Sequence, residues 1–251
     1  MNDGSPADAG SVASNAAQWR GRPLHGILFD LDGTLLDTAA DIAGALNRSL
    51  AERGWPALKV TDVVRMIGRG APILIERAAA LQNRAVSAAD KAQMVERFFH
   101  FYGALEERDE SAAVTYPDVP QTLRLVHEAG LSVAIVTNKQ ERFARALLHR
   151  LELAGWVDLV VGGDTCERRK PDPQPLLFAC SALRLTPDQV LMVGDSVNDV
   201  SAARAAGIPV VCVPYGYNEG QDPRTLQCDA LIDTLKGLPS LVGLTVRAEI
   251  S

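Results

Sequence analysis

Gly26-Ile27-Leu28-Phe29-Asp30-Leu31-Asp32-Gly33-Thr34-Leu35-Leu36-Asp37 joins an apolar run to two acidic residues separated by a single leucine. Residues two apart on an extended backbone project to the same side, so a strand ending here holds Asp30 and Asp32 together while Gly33 frees the chain to turn. Neighbouring carboxylates repel unless a cation lies between them, one holds a proton, or both are wet. Taken alone, the segment reads equally well as an exposed acidic turn or as a working site. Pro23 precedes the run, and the expected strand covers Leu24 to Phe29.

Downstream the pattern changes to helical. Thr38-Ala39-Ala40-Asp41 is an acidic form of the capping box, and Ile42, Ala45, Leu46 and Leu50 then recur on one helical face up to Gly54. Ser87-Ala88-Ala89-Asp90 is a second such start, followed by a stripe of Met94, Phe98, Phe101 and Leu105 that predicts packing against other helices. Between them, Thr61 to Met66 and Pro72 to Leu81 are also helix-like, separated by Ile67-Gly68-Arg69-Gly70. Residues 38–112 are therefore expected to be an all-helical cap domain.

From Tyr116 onward strands and helices alternate. Asp118 and Pro120 start a helix that stops at Gly130. Strands are expected at Leu131 to Val136, Val157 to Val161, Val190 to Val193 and Pro209 to Val213. Helices are expected at Arg142 to Leu151, Pro173 to Leu183 and Asn198 to Ala206. Short, nearly continuous Val, Ile and Leu runs suit strands buried on both faces of a parallel sheet. The predicted fold is α/β, a doubly wound parallel sheet with a Rossmann-like core made of residues 23–37 and 113–244, into which the helical cap is inserted. Residues 1–22 are expected to be a disordered leader and residues 245–251 a tail.

In an open parallel sheet, ligands sit outside the carboxyl ends of the strands. Polar residues fall at those ends: Asp30 and Asp32, then Thr137-Asn138-Lys139, then Gly194-Asp195-Ser196-Val197-Asn198-Asp199, with Lys170-Pro171 leading into a helix. Four acids, a hydroxyl and an ammonium group are thus expected to converge on one edge. A hard divalent cation holds such carboxylates together, and Mg²⁺ takes oxygen ligands while keeping waters and a substrate phosphate oxygen. Lys170 and Thr137 then complement phosphate oxygens. One carboxylate is able to attack phosphorus, and a second to move the proton of the leaving group.

These four segments, intact and in order, resemble the motifs of the haloacid dehalogenase superfamily in its magnesium-dependent phosphatase branch. The resemblance covers Leu24 to about Leu235. It implies Asp30 as nucleophile, Asp32 as general acid/base, and Thr137, Asn138 and Lys170 as phosphate-binding residues. The implied metal ligands are Asp30, Asp195 and the backbone carbonyl of Asp32, with Asp199 acting behind them. Ile67-Gly68-Arg69-Gly70 and Pro214-Tyr215-Gly216-Tyr217-Asn218 further resemble phosphoglycolate phosphatases. By that likeness 2-phosphoglycolate is the expected substrate, and Arg69 in the cap is the candidate for its distal carboxylate. The Tyr215 to Asn218 stretch is read as a packed loop without a catalytic role. The alternatives keep the chemistry on a sugar phosphate, an amino-sugar acid phosphate, a nucleotide or pyrophosphate, or make the enzyme a phosphomutase. Asp32 argues against metal-independent dehalogenation, whose pattern lacks a second acid there.

Composition narrows the remaining classes. No apolar run approaches the roughly 20 residues of a membrane helix, and a net charge of −6 without clustered Lys and Arg argues against a nucleic-acid partner. Cys166, Cys180, Cys212 and Cys228 form no Cys-X-X-Cys pair, so neither zinc nor a disulfide framework is indicated. His25, His100, His127 and His149 are scattered and are read as structural or surface groups. The expectation is a cytoplasmic enzyme, monomer or homodimer, acting on a small phosphorylated substrate.

Overall fold

In the computed structural model, which describes residues 16–244, the apolar runs become strands of one parallel sheet. The chain opens with a hairpin of β1 (Gln18–Trp19) and β2 (Arg22–Pro23), followed by β3 (Gly26–Phe29) and β4 (Leu36–Asp37). Helices α1 (Ala39–Ala51), α2 (Val60–Val64), α3 (Ala71–Leu81) and α4 (Ala88–Glu107) come next, then β5 (Val114–Thr115). The remainder alternates: α5 (Val119–Glu128), β6 (Ser132–Val136), α6 (Glu141–Arg150), β7 (Leu159–Val161), α7 (Gln174–Leu183), β8 (Val190–Gly194), α8 (Val197–Ala206), β9 (Val210–Cys212), β10 (Ala230–Leu231) and α9 (Gly237–Leu241).

The six-stranded sheet has the order β10-β9-β8-β3-β6-β7, with every neighbouring pair parallel. Successive strand residues face opposite sides. Ile27 and Phe29 accordingly join a core with Leu123, Val126, Ala144 and Leu147 of α5 and α6, while Leu28 joins another with Leu176, Ala179, Ala202 and Ala203 of α7 and α8. Helices cover both faces, which is why β3 has no exposed position and reads as an unbroken apolar run.

The chain leaves the sheet through β4 and returns through β5, which pair antiparallel as Leu36 with Thr115 and Asp37 with Val114. Between these crossings α1 to α4 build their own core around Leu46, Leu50, Ile75, Met94 and Phe98. Phe143 and Tyr217 reach into that core from the α/β part, so the helical layer packs directly over the sheet's edge.

Several local readings change. Gln18 to Arg22, expected within the leader, form with Pro23 a hairpin whose Trp19 is buried in the sheet core, and Gln18 N–H donates to Val242 O. Residues 1–15 and the tail 245–251 lie outside the described residues. At Ser87 the hydroxyl caps α4, accepting from Asp90 N–H and donating to Asp90 Oδ2, but the backbone half of the box is not made. At Thr38 the box does not form, because the hydroxyl donates to Asp32 and Asp41 accepts instead from Ser111 and Ala112. Asp118 precedes α5 in a left-handed conformation without a side-chain cap. In α4 the buried stripe is Met94, Phe98 and Tyr102, whereas Phe101 is only half-buried beneath the Arg48 and Arg97 guanidiniums.

Candidate active site

Three adjacent strands end at one edge and each delivers a polar side chain there. Asp30 follows β3, Thr137 follows β6 and Asp195 follows β8. The register that pairs Phe29 with both Ile135 and Val193 brings these ends level, and Asp30 N–H continues the ladder by donating to Val193 O. The turn after Asp30 closes tightly, with Gly33 at φ +91. A β-carbon at Gly33 or at Gly216 would overlap the Asp195 carboxylate, so both glycines are dictated by that close approach.

Lys170 is buried at the centre of this edge. Its ammonium group lies 2.7 Å from Asp30 Oδ1, 2.7 Å from Asp199 Oδ1 and 2.6 Å from Val136 O, which engages all three of its hydrogens. Burial alone would lower the lysine pKa, but the Asp199 and Asp30 carboxylates outweigh it and hold the ammonium form. Asp199 is fixed from its other oxygen by Ser196 Oγ at 2.7 Å and Ser196 N–H at 3.1 Å, the reciprocal cap at the start of α8. Asp195 accepts from Thr34 Oγ1 at 3.2 Å and from Tyr217 N–H.

Oxygens of Asp30, Asp195 and Asp199 lie within 4.8 Å of one another. Burial pushes the Asp30 carboxyl up to about 7 despite Lys170, and burial together with Asp199 and Asp30 pushes Asp195 well above the usual carboxylate range. One lysine does not balance three buried acids. An oxygen-only, charge-deficient cluster of this kind suits a hard divalent cation, and its residues therefore fit Mg²⁺.

Asp32 stands apart from that cluster. Lys139 Nζ contacts both of its oxygens at 2.9 and 3.0 Å, and Thr38 Oγ1 donates to it at 2.6 Å. Lys139 is itself buried and lies 4.7 Å over the Tyr102 ring. Burial would lower its pKa, yet Asp32 and Tyr102 more than offset this and keep it charged. The acids thus divide by surroundings: Asp30 belongs to the Lys170 and Asp195 cluster, and Asp32 to Lys139 and Thr38.

Asp30, Asp32, Thr137 and Asn138 line a cavity of about 70 Å³, closed from the cap side by Ile67, Leu74, Phe98 and Tyr102. The volume is small beside the roughly 300–1,000 Å³ of drug-sized ligand clefts. Part of the aromatic stripe expected to serve only helix packing therefore forms the roof. None of the four histidines lines the cavity, and all four cysteines are free.

The side chains of two sequence-derived residues are engaged by other partners. The Asn138 side-chain amide donates to Gly68 O at 2.8 Å and Lys170 O at 2.9 Å, tying the cap loop to the lysine loop. Arg69 is not among the cavity-lining residues; its Nε bonds Glu219 Oε1 at 2.9 Å, and its side chain is 41% exposed. Arg77 takes the other Glu219 oxygen at 2.8 Å, so Glu219 links the cap to the loop after β9. Sequence reasoning passed over Lys139, Arg169, Thr38 and Tyr217. Lys139 and Arg169 adjoin motif residues, which was the available signal. Tyr217, read as part of a packed loop, caps α1: its Oη accepts from Thr38 and Ala39 N–H at 2.8 and 3.0 Å and donates to Asp37.

A sequence model of the haloacid dehalogenase-like hydrolase family matches residues 27–213. A phosphoglycolate phosphatase of Nitrosospira multiformis is 40% identical over 221 residues, covering 88% of this chain and 96% of its own. One from Salmonella paratyphi A is 37% identical over 238 residues, with 88% and 93% covered. A solved structure described as a predicted phosphoglycolate phosphatase from Haemophilus somnus superposes with a TM-score of 0.80 at 30% identity, covering 87% of this chain and 97% of the other.

Proposed function

The chain belongs to the haloacid dehalogenase-like hydrolase family and is a phosphoric monoester hydrolase, and from that premise we propose that it cleaves 2-phosphoglycolate to glycolate and phosphate in a Mg²⁺-dependent reaction through an aspartyl-phosphate on Asp30. The observation that carries the reading is the separation of the two acids, with Asp30 held by Lys170 beside Asp195 and Asp199 and Asp32 held apart by Lys139. The relatives' names and the small cavity support the substrate.

In this mechanism the Asp30 carboxylate attacks phosphorus, a new Asp30 oxygen–phosphorus bond forms, and the bond from phosphorus to the ester oxygen breaks. Asp32 gives its proton to the departing glycolate oxygen. In the second half Asp32 takes a proton from water as that water attacks phosphorus, and the bond to Asp30 breaks to release phosphate and restore the carboxylate. Lys139 and Thr38 hold Asp32 in register for both transfers. Thr137 donates its hydroxyl to the phosphate, Asn138 contributes its backbone N–H, and Lys170 exchanges one present contact for a phosphate oxygen. Asp30, Asp195 and the Asp32 carbonyl would hold Mg²⁺, with Asp199 behind them, and the ion would neutralise charge on the transferring phosphoryl oxygens. The proposed place of work is the cytoplasm; separately, among the described residues no helix is long and apolar enough to cross a membrane.

Phosphate release from a panel of small esters, compared by kcat/KM, tests the substrate. 2-Phosphoglycolate is expected to lead. A sugar phosphate or nucleotide turned over at least about tenfold better would overturn that choice.

A further inference from the structure

We propose that Arg169, rather than Arg69, recognises the carboxylate of the substrate and so sets the preference for an acid-bearing phosphate ester; this rests on the phosphoglycolate reading above. Three cationic side chains line or border the cavity floor, and two are already committed. Lys170 is held by Asp30 and Asp199, and Lys139 by both oxygens of Asp32. Arg169 also lines the cavity, and no carboxylate among the described residues pairs with it.

Its guanidinium is nevertheless fixed in place. Nε donates to Gly163 O at 2.5 Å, which restrains the plane of the group and leaves the four N–H donors of the terminal nitrogens. The cap closes onto this guanidinium: a β-carbon at Gly70, where φ is +79, would stand 3.1 Å from its NH1 nitrogen. The positive φ favours glycine where the cap loop crosses Arg169, and the neighbouring Arg69 is turned away to Glu219.

Position within the sheet gives the direction. Asp30 ends β3, Thr137 ends β6, and Gly163, which anchors Arg169, follows β7. A phosphoryl group centred on Asp30 and Thr137 therefore has Arg169 on the side away from Asp195. The carboxylate of 2-phosphoglycolate lies one methylene beyond the ester oxygen, and a planar guanidinium matches a carboxylate in paired hydrogen bonds. Arg169 immediately precedes Lys170, so one short loop spaces the charge for the carboxylate against the charge for the phosphate.

The test compares 2-phosphoglycolate with 2-hydroxyethyl phosphate, an ester of similar size whose distal group is an uncharged hydroxyl (the neutral ester below), in the full-length Mg²⁺-loaded enzyme. Arg169→Ala is expected to lower kcat/KM for the acid about 10- to 100-fold more than for the neutral ester, the fold-change that loss of a charged hydrogen bond produces. Arg169→Lys, which keeps the charge and loses the fork, is expected to fall between, and it supplies the same comparison if the alanine variant fails to fold. Equal losses on both esters, or a shift in the ratio for Arg69→Ala instead, would overturn the assignment and leave the phosphoglycolate reading standing. A wild-type enzyme that cleaves the neutral ester as well as the acid would overturn that reading, and the assignment with it.

Discussion

Replacing Lys139 with methionine keeps most of the side-chain stem and removes the charge opposite Asp32. In the native protein the ammonium group lies 2.9 and 3.0 Å from the two Asp32 oxygens, and the side chains are 7% and 13% exposed. In Lys139→Met the Thr38 hydroxyl becomes the remaining side-chain donor to Asp32. Breaking a buried pair from one side strands the other charge and costs about 3–5 kcal/mol. For a chain of this length, at about 2–4 °C per kcal/mol, the Tm should fall by about 6–20 °C. Adding Asp32→Asn removes the stranded charge, so the double variant should be more stable than the sum of the single effects by up to about 3 kcal/mol. Urea melts of wild type, both single variants and the double variant, each with a chelator present, give the cycle. A loss below about 1 kcal/mol, the value of an exposed pair, or strict additivity would refute the reasoning.

Gly216→Ala must push Asp195 aside, because the added β-carbon overlaps its carboxylate; a Mg²⁺ titration of activity should then show about 10- to 100-fold weaker apparent metal affinity, and an unchanged midpoint would count against Asp195 as a ligand. The metal should also stabilise more as pH rises. With Asp30 pushed up to about 7 and Asp195 well above the usual range, the metal-free fold binds protons that the unfolded chain releases, so its stability declines as pH climbs from the ordinary carboxylate value through about 7. A cation must displace those protons below that range and need not above it. The Tm gain on adding Mg²⁺ should accordingly be larger at about pH 8.5 than at about pH 5.5, and the reverse order would contradict the cluster's role.

Much of the sheet and the acidic edge was legible because each depends on local sequence. Asp30, Thr137 and Asp195 end apolar runs, and a parallel sheet has only one edge at which such ends meet. Features decided by tertiary competition were not legible. Thr38 carries a capping pattern, but Asp32 offers its hydroxyl a charged acceptor while Tyr217, distant in sequence, takes over the helix terminus. Helical spacing runs the α4 stripe through Phe101, whereas the burial phase runs through Tyr102, because Lys139 and Phe143 of the α/β part pack on that ring. Arg69 sat in the more suggestive local turn, yet Glu219, far along the chain, draws it out of the cavity. The hairpin at Gln18 to Pro23 has too few apolar residues to announce itself and is held by Trp19 in a core built elsewhere.

The central claim is that Asp30 carries the phosphoryl group. Acid quenching during turnover of 2-phosphoglycolate with Mg²⁺, followed by peptide mass analysis, tests it most directly, while Asp32→Asn, which loses the acid of the first step and the base of the second, is expected to slow turnover by a factor of about 10² to 10⁴. The account predicts one added phosphoryl group on the peptide containing Asp30, abolished by Asp30→Asn. A phosphoryl group found on any other residue, or rapid turnover by Asp30→Asn, would contradict it.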